Sequence, residues 1–333
     1  MNESPKVAII ILNWNGWLDT IECLDSLLNI NYNNFCVILV DNNSEDDSIQ
    51  KIKEYCDGNL NYSVSIPSLH PNKILISEYD ETEIKSKLKI INTTNYPSNL
   101  FLIKNDKNYG FAEGNNIGIE FVLINLNSDY ILLLNNDTVV EKDFLNKLVD
   151  SVEGNDKIGV IGPKIYYYKY NQEKNIINFR GGEIKWHKYP GYHKIGDKTL
   201  DDNNSDIKEC DWITGAALMF KTNLPIRYLD KQYFFGCEDV DFCLKLKDSS
   251  YKVYVNPQSY IWHKLGQSRH KKSGSIIKSG LADFLTNCRL LKNHNKHFII
   301  ILPIYTLQMF LGMIKILLIN FLSKNPKEFY RNI

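Results

Sequence analysis

The amino-acid sequence predicts an α/β fold built on a mostly parallel, Rossmann-like nucleotide-binding sheet with helices on both faces. Continuous apolar runs at residues 7–12, 35–40 and 131–134 show no strict alternation, which is typical of strands buried on both faces. Between the first two runs, apolar side chains recur at helical spacing from Leu18 to Leu28. The order strand, helix, strand indicates βαβ units, which form parallel sheets.

Composition narrows the class of protein. The 333 residues, 44% of them hydrophobic, suffice for one large or two ordinary domains. Lys plus Arg equals Asp plus Glu, at 39 each, so the bulk charge predicts no nucleic-acid partner and any anion site must be local. The seven cysteines form no C-x-x-C pair, which argues against a disulfide framework or zinc site and favours a reducing compartment. We expect no signal peptide.

The second apolar run ends in Asp41, followed by a turn rich in Asn, Asp and Ser. Ser44 or Asp46 could cap the next helix. In nucleotide-binding sheets, an acid at the carboxyl end of a buried strand typically accepts hydrogen bonds from a ribose or base. Asp41 is therefore a candidate nucleotide ligand, and a capping turn without chemistry is the alternative.

Residues 57–99 differ from their surroundings, because they combine Pro67, Pro71 and Pro97 with many Asn and Ser residues. We expect a surface insertion without chemistry, in which Glu78 to Lys89 could form a short helix. Leu100 to Lys104 then resumes the sheet.

A glycine-containing loop at residues 105–116 precedes a predicted helix from Ile117 to Leu126. The loop matches neither the dinucleotide fingerprint G-x-G-x-x-G nor the P-loop. Gly110 and Gly114 would still allow the backbone to approach a ligand closely.

The third apolar run ends in Asn135, Asn136 and Asp137. Ligands bind along the carboxyl edge of open α/β sheets, and a carboxylate beside amide oxygens suits Mg²⁺ or Mn²⁺. This tip is therefore a candidate metal and phosphate site, with an ordinary strand-to-turn junction as the alternative. A helix near residues 141–152 and a buried strand at residues 158–161 complete the nucleotide-binding part.

From Pro163 onward the sequence becomes aromatic and polar. Aromatic rings beside glycines suit loops that stack on sugars, although a packing layer explains them equally well. The residues concerned are Tyr166, Tyr167, Tyr168, Tyr170, Phe179, Trp186, His187, Tyr189, Tyr192 and His193. Residues 211–220 then predict a strand whose small residues would let a ligand approach.

Two charged segments complete this half. Glu238, Asp239 and Asp241 fall in the first turn of a predicted helix, where they could serve base catalysis or stabilise the helix end. After His263, residues 264–274 concentrate positive charge on one loop. That loop is a candidate diphosphate clamp, or a solvated surface loop.

Seven motifs stand in a recognisable order along the chain. They are residues 7–16, Asp41-Asn42-Asn43-Ser44, Asn108-Tyr109-Gly110-Phe111-Ala112 with Asn115-Asn116, Leu133-Leu134-Asn135-Asn136-Asp137, Thr214-Gly215-Ala216, Glu238-Asp239 and His263. In this order they resemble the family 2 inverting glycosyltransferases with the GT-A fold, and more narrowly the rhamnosyltransferase-type branch. The resemblance covers roughly residues 7–272 and is interrupted by the insertion.

The resemblance implies roles for individual residues. Asn13, Asp41 and Asn108 would line the nucleotide base and ribose, and Asp239 would be the general base. The other residues that it places in the substrate or nucleotide site are Asn15, Gly110, Asn136, Trp212, Gly215, Glu238, Lys264 and Arg269.

The resemblance also implies a divalent metal, Mn²⁺ or Mg²⁺. Residues 135–137 would take the place of the family's D-x-D motif, with Asp137 as the metal ligand and His263 binding the metal or the diphosphate. The first acid of that motif is Asn135 here, so a single carboxylate should hold the metal less tightly.

The implied function is inverting transfer of a sugar, with rhamnose suggested by the branch, from a dTDP- or UDP-linked donor to a glycan or lipid-linked acceptor in cell-surface polysaccharide synthesis. A catalytically silent nucleotide-sugar or glycan-binding protein of the same fold is the alternative. A glycosidase would leave the nucleotide-type sheet and the basic loop unexplained, and a sugar-phosphate nucleotidyltransferase would need a Gly- and Arg-rich N-terminal loop.

The C-terminal region, residues 276–333, predicts helices beyond a catalytic domain at residues 1–275. Phe298 to Leu322 is about long enough to span a membrane and has Lys315 as its only charge. Pro303 and the polar residues within the run favour an in-plane or hairpin anchor over a clean span. We therefore expect a peripheral or anchored protein at the cytoplasmic face of the cell membrane. The alternative is a helix packed on the catalytic domain.

Overall fold

The computed structural model describes residues 4–59, 73–84, 95–168, 175–234, 236–264 and 276–322. Its contacts divide the chain into two compact units. The first comprises Met1–Glu183 and Lys194–Lys272, and the second comprises Ile184–His193 and Ser273–Ile333.

The described chain alternates strands and helices in its first half and is richer in strands afterwards. The strands are β1 (Val7–Asn13), β2 (Phe35–Asp41), β3 (Leu75–Asp80), β4 (Asn99–Lys104), β5 (Tyr130–Asn135), β6 (Thr138–Val140), β7 (Ile158–Tyr167), β8 (Ile176–Phe179), β9 (Gly182–Ile184), β10 (Tyr192–Lys194), β11 (Thr199–Leu200), β12 (Lys208–Glu209), β13 (Ala217–Lys221) and β14 (Lys252–His263). The helices are α1 (Trp17–Leu28), α2 (Ser48–Cys56), α3 (Glu81–Ile84), α4 (Gly110–Asn125), α5 (Phe144–Val152), α6 (Glu238–Asp248), α7 (Ile276–His294) and α8 (Phe298–Leu322).

The first unit is built around one mixed sheet. Its strand order is β11-β8-β7-β13-β5-β1-β2-β4-β3. The strands from β5 to β3 in this order are parallel, whereas β13 runs antiparallel to both β5 and β7. The predicted α/β sheet is therefore present, and an antiparallel part extends it.

The register of the central strands decides which polar side chains share an edge of the sheet. Asn13 of β1 lies opposite Asp41 of β2, and Leu12 lies opposite Asn135 of β5. The side chains behind them, such as Ile10 and Ile38, are fully buried. Because the three strands are parallel, the polar residues at their carboxyl ends meet at one edge.

Part of the predicted insertion belongs to the sheet. β3 pairs in parallel with β4, from Leu75 opposite Asn99 to Asp80 opposite Lys104. The ring of Tyr79 packs against Phe121, with centroids 5.0 Å apart. Glu78 to Asp80, predicted to start a helix, are therefore strand, because pairing with β4 and packing of Tyr79 outweigh a local preference. Helix α3 follows.

The second unit packs aromatic rings around α8. The ring of Tyr189 lies 5.8 Å from that of Phe284 and 5.6 Å from that of Tyr305. The backbone N–H of Tyr189 donates to Gln308 Oε1 at 2.7 Å. For Tyr189, predicted to face a sugar or to pack, the structure shows packing.

Among the helices of the described chain, none combines the length and the apolar character that crossing a bilayer requires.

A buried ion pair stabilises the antiparallel part of the first unit. Lys164 Nζ lies 2.6 Å from Asp201 Oδ2, with the two side chains 6% and 5% exposed. The hydroxyl of Tyr166 donates to the same carboxylate. Burial acts to raise the pKa of Asp201. The hydrogen bonds from Lys164 and Tyr166 lower it by more than burial raises it, so the pKa lies below the ordinary carboxyl value.

We expect Lys164→Met to lower the free energy of unfolding at pH 7 by about 3–5 kcal/mol, because it leaves a buried carboxylate without its cation. Lys252→Met is the matched control, since the Lys252–Glu209 pair is 43% and 45% exposed and should contribute less than about 1 kcal/mol.

Urea unfolding of both variants checks this expectation. The pKa of Asp201 is lowered on folding, so its contribution is present above the ordinary carboxyl pKa and is lost as the pH falls through the lowered value. The difference between Lys164→Met and wild type should shrink in acid. Equal losses in the two variants at pH 7 would contradict the argument.

Candidate functional site

Asp41, at the end of β2, is buried and held by three donors. Asn13 Nδ2 donates to its carboxylate at 2.7 Å, and Ser44 donates through its hydroxyl at 2.7 Å and its backbone N–H at 2.9 Å. Asn13 is fully buried, and its Oδ1 accepts the Thr20 hydroxyl at 2.9 Å. Asn13, predicted to line the nucleotide, thus orients Asp41, because both ends of its amide are engaged within the protein.

Asn15 and Asn136 brace the same corner of the sheet. The backbone N–H of Asn15 donates to Ser44 Oγ at 2.9 Å, and its Oδ1 accepts the N–H of Glu45 at 2.7 Å. Asn136 Nδ2 donates to the Thr20 hydroxyl at 3.0 Å. Both residues were predicted to contact the nucleotide, and in this structure their side chains join the loops that surround Asp41.

Asn42 connects the end of β2 to the glycine-containing loop. Its Nδ2 donates to Asn108 Oδ1 at 3.0 Å and to the carbonyl of Gly110 at 3.1 Å. Its Oδ1 accepts the side chain of Asn105 at 3.0 Å and the N–H of Tyr109 at 3.1 Å. Asn42 was not among the predicted site residues, although its place directly after Asp41 at a strand end was a usable signal.

Gly110 lies where another chain segment crosses the start of α4. Its φ is +77°, and a Cβ there would lie 2.4 Å from the carbonyl oxygen of Phe234. That carbonyl accepts the N–H of Phe111 at 2.9 Å. Gly110 was predicted to let the backbone approach a ligand, and in this structure the group that lies close to it is the carbonyl of Phe234.

The predicted metal residues meet after β5 and at the end of β14. His263 Nε2 lies 2.9 Å from Asp137 Oδ1, and Asn135 Nδ2 lies 3.4 Å from the same nitrogen. They meet because β6, which begins directly after Asp137, pairs with β14, with His263 opposite Thr138. Residues 126 positions apart in sequence therefore form one pair of candidate ligands.

Asp137 and His263 suit a metal ion that takes its remaining ligands from outside the protein. His263 Nε2 and Asp137 Oδ1 are at hydrogen-bond distance, and an imidazole nitrogen and a carboxylate oxygen are both donors that Mn²⁺ accepts. In the described residues no group of three or more His, Cys, Asp or Glu side chains could hold a metal. Asp137 and His263 would thus supply two ligands, and phosphate oxygens and water the others.

Lys264, predicted to contact the diphosphate, is engaged by helix α1. Its Nζ lies 2.6 Å from Asp19 Oδ1 and also contacts Glu22, and it lies 5.5 Å from the centre of the Tyr168 ring. Burial acts to lower the pKa of Lys264, but Asp19 and Glu22 raise it overall. Two carboxylates compensate this cation, so it offers little uncompensated charge to a diphosphate.

Asp239 is half-buried in the first turn of α6. Its carboxylate accepts the N–H of Gly215 at 2.8 Å and that of Val240 at 2.8 Å. Burial raises the pKa of Asp239 above its ordinary value, and the two N–H groups oppose that rise. The carbonyl of Ala216 accepts the N–H of Asn135 at 3.0 Å. Residues 215–216 thus connect Asp239 to the sheet edge at which the candidate ligands Asp137 and His263 meet.

Gly215 lets Asp239 and the ring of Phe111 lie close to the same stretch of backbone. A Cβ on Gly215 would lie 2.9 Å from the ring of Phe111 and 3.7 Å from the Cβ of Asp239. Just before α6, Gly236 and Cys237 have φ values of +94° and +70°, so the chain reverses sharply there. Glu238, the neighbouring acid, is buried at 5% exposure.

One further predicted site residue, Trp212, packs in the core of the first unit. Trp212 is 3% exposed, its ring packs 5.0 Å from that of Phe179, and it lies against Gly182. Trp212 is thus a core residue, because that glycine leaves room for the indole. Arg269, like Lys271 and Tyr170, lies outside the described residues.

A cavity of about 500 Å³ opens beside Tyr109 at the start of α4. Its lining includes the carboxylates of Glu81, Glu113, Glu120 and Asp230. Lys231 is the cation among its lining residues, so the lining carries a net negative charge, which disfavours a diphosphate.

The family model described as Glycosyl transferase family 2 matches residues 8–67 and 81–218 of the chain. The residues that it skips, 68–80, lie inside the stretch predicted as an insertion.

Two curated relatives match part of the chain. It is 25% identical over 149 residues to the low-salt glycan biosynthesis hexosyltransferase Agl10 of Haloferax volcanii, which covers 44% of this chain and 46% of that protein. It is 24% identical over 212 residues to the rhamnosyltransferase WbbL of Escherichia coli, which covers 56% of this chain and 74% of that protein. The chain thus spans less than half the length of the first relative.

Two solved structures share the fold. GalNAc-T7 with UDP, GalNAc and Mn²⁺ has a TM-score of 0.54 at 14% identity, covering 79% of this chain and 44% of that chain. The mannosyltransferase PcManGT of Pyrobaculum calidifontis in complex with GDP-Man and Mn²⁺ has a TM-score of 0.53 at 12% identity, covering 98% and 78%. At these identities the likeness supports a GT-A-like α/β fold and carries no statement about substrates.

Gly110→Ala tests the crossing of Phe234 over α4. The variant adds a Cβ against a backbone carbonyl in a left-handed conformation, so we expect it to destabilise the protein by about 2–4 kcal/mol. Gly58→Ala is the matched control, because Gly58 has φ +71° and no atom within 4 Å of an added Cβ. It should lose only about 1–2 kcal/mol from the conformation itself. Urea unfolding that gives equal losses for both would contradict the proposed clash.

Proposed function

Because the chain belongs to glycosyl transferase family 2, we propose that it transfers a sugar from a nucleotide-diphosphate sugar to an acceptor hydroxyl, with inversion at the anomeric carbon. The observation that carries this proposal is the junction at residues 215–216. There Asp239 contacts Gly215, and Ala216 contacts Asn135, which neighbours the Asp137–His263 pair. A candidate base and a candidate metal pair thus lie on either side of two small residues.

Asp41 is the proposed ligand of the nucleotide's ribose or base, with dTDP or UDP as the expected nucleotide. Asn13 and Ser44 would hold its carboxylate in place before the donor arrives, which reduces the ordering that binding requires. Asn42 and Asn108 would keep the glycine-containing loop against the same edge.

Asp137 and His263 are the proposed ligands of Mn²⁺ or Mg²⁺. When bound, such an ion would neutralise the negative charge that develops on the leaving diphosphate. This role matters because Lys264 is compensated by Asp19 and Glu22.

Asp239 is the proposed general base. It would take the proton from the acceptor hydroxyl while that oxygen forms a bond to the anomeric carbon. The bond from that carbon to the diphosphate oxygen would break, and the nucleoside diphosphate would leave with the electron pair. A single displacement of this kind inverts the anomeric centre. The raised pKa of Asp239 makes the carboxylate a stronger base.

Rhamnose as the sugar, a lipid-linked or glycan acceptor and a role in cell-surface polysaccharide synthesis at the cytoplasmic face of the membrane are finer proposals. The names of the two relatives, a hexosyltransferase of glycan biosynthesis and a rhamnosyltransferase, support them. A catalytically silent sugar-binding protein is the competing proposal, because Asn135 stands where an acid was expected. Donor turnover above background by purified protein would exclude it.

Asp239→Asn should reduce transfer at least about 100-fold, because the acceptor hydroxyl loses its proton acceptor. In the wild type, kcat/KM should fall as the pH drops through a pKa above the ordinary carboxyl value of 3.8. Asp248→Asn, at the exposed end of the same helix, is the control and should retain activity. Full transfer by Asp239→Asn would refute the assignment of the base.

A thermal-shift panel of UDP-, dTDP- and GDP-sugars, with and without Mn²⁺, tests the donor site. Binding to the native state stabilises it by RT ln(1 + [L]/Kd), about 2.7 kcal/mol at 100 times Kd. We expect one nucleotide to raise Tm mainly when metal is present, and Asp137→Asn to lose that metal-dependent increment. Asp156→Asn, on the surface of the same unit, should keep it. A metal-dependent shift that persists in Asp137→Asn would remove Asp137 as a ligand.

A further inference from the structure

Helix α8 presents one apolar face to solvent. The seven side chains of that face are Ile299 (72% exposed), Ile300 (68%), Ile304 (42%), Leu307 (60%), Phe310 (54%), Leu311 (56%) and Ile314 (51%). Their spacing of mostly three, four and seven residues keeps them on one side of the helix. An exposed apolar face of this length on a soluble surface is unusual and marks an interaction surface.

The opposite side of α8 is already occupied within its own unit. Tyr305 is fully buried and Met309 is 8% exposed. Gln308 accepts the N–H of Tyr189 at 2.7 Å and donates to the carbonyl of His187 at 3.2 Å. With one side packed and polar contacts beside it, α8 has a single face available for a partner.

Helix α7 has an exposed face of mixed character. Leu281 and Leu285 are 50% and 60% exposed, and Arg289 and Lys292 are exposed at the following positions of the same side. Apolar side chains therefore lead into basic ones along one helix face, as in helices that bind at a membrane–water interface.

The charge of this region differs from that of the whole chain. Residues 276–333 contain the basic residues Lys278, Arg289, Lys292, Lys296, Lys315, Lys324, Lys327 and Arg331, but only Asp283 and Glu328 as acids. The chain as a whole is neutral. A strongly basic segment would repel a second copy of itself and attract an anionic surface.

We propose that α8 lies in the plane of an anionic membrane surface, with the face from Ile299 to Ile314 in the acyl–headgroup boundary and with the exposed side chains of Arg289, Lys292 and Lys315 at the lipid headgroups. This inference adds a location to the proposed function. The biological purpose of membrane binding rests on that function, since a lipid-linked acceptor would be reached from the membrane surface. Binding to lipid is a separate property from transfer and is measured separately.

Sedimentation of the full chain with vesicles tests the proposal. Vesicles of phosphatidylcholine with 30% phosphatidylglycerol should bind the wild type at least tenfold more tightly than pure phosphatidylcholine vesicles, and added salt should weaken that binding. The variant Ile304→Gln/Leu307→Gln/Leu311→Gln should bind the anionic vesicles at least tenfold less than wild type. Leu200→Gln, which changes an apolar side chain 69% exposed on the first unit, should bind like wild type.

Three results would overturn the proposal: no sedimentation of the wild type, unchanged binding of the triple variant, or a stable dimer by light scattering that the triple variant dissociates. Circular dichroism and the nucleotide-induced shift in Tm check that the triple variant remains folded. Vesicle binding without sugar transfer would refute the proposed function and support the membrane inference. Sugar transfer without vesicle binding would support the proposed function and refute the membrane inference.

Discussion

The position of β1 between β2 and β5 is the constraint on which the site depends. Asn13 lies opposite Asp41, and Leu12 lies opposite Asn135. A slip of one residue would turn every side chain of β1 to the other face of the sheet. It would also move Asn13 out of line with Asp41 and Leu12 out of line with Asn135, so the packing that fixes the register of β1 also fixes the polar edge. Core packing and site geometry therefore follow from one register.

Acids at this edge are held in three different ways. Asp41 is surrounded by neutral donors, Asp137 faces an imidazole, and Asp239 is half-buried with two backbone N–H groups. These surroundings match the three roles proposed for them, which are a fixed acceptor, a metal ligand and a base. Lys264 is paired with acids of α1, and the proposed metal ion would supply positive charge to a diphosphate.

Much of the framework could be predicted because it is local. The apolar runs that became β1, β2, β4 and β5 were placed within a residue or two, since a strand buried on both faces has a direct signature. The pairing of Asp137 with His263 followed only from the family resemblance, because 126 positions separate them. Trp212 was misplaced, since an aromatic residue beside small ones looks the same in a core as in a binding loop. β3 was missed because an edge strand has a weaker apolar pattern.

The sequence by itself determined the fold class, the strand ends that carry polar residues and the basic, apolar character of the C-terminal region, because each is written in neighbouring residues. Only the tertiary structure decided that Asn13 orients Asp41 and that Asn42 joins β2 to the loop before α4. It also decided that Lys264 pairs with two acids of α1 and which face of α8 is exposed. These outcomes depend on distances between segments far apart in the chain. No local pattern of apolar and polar residues specifies such distances.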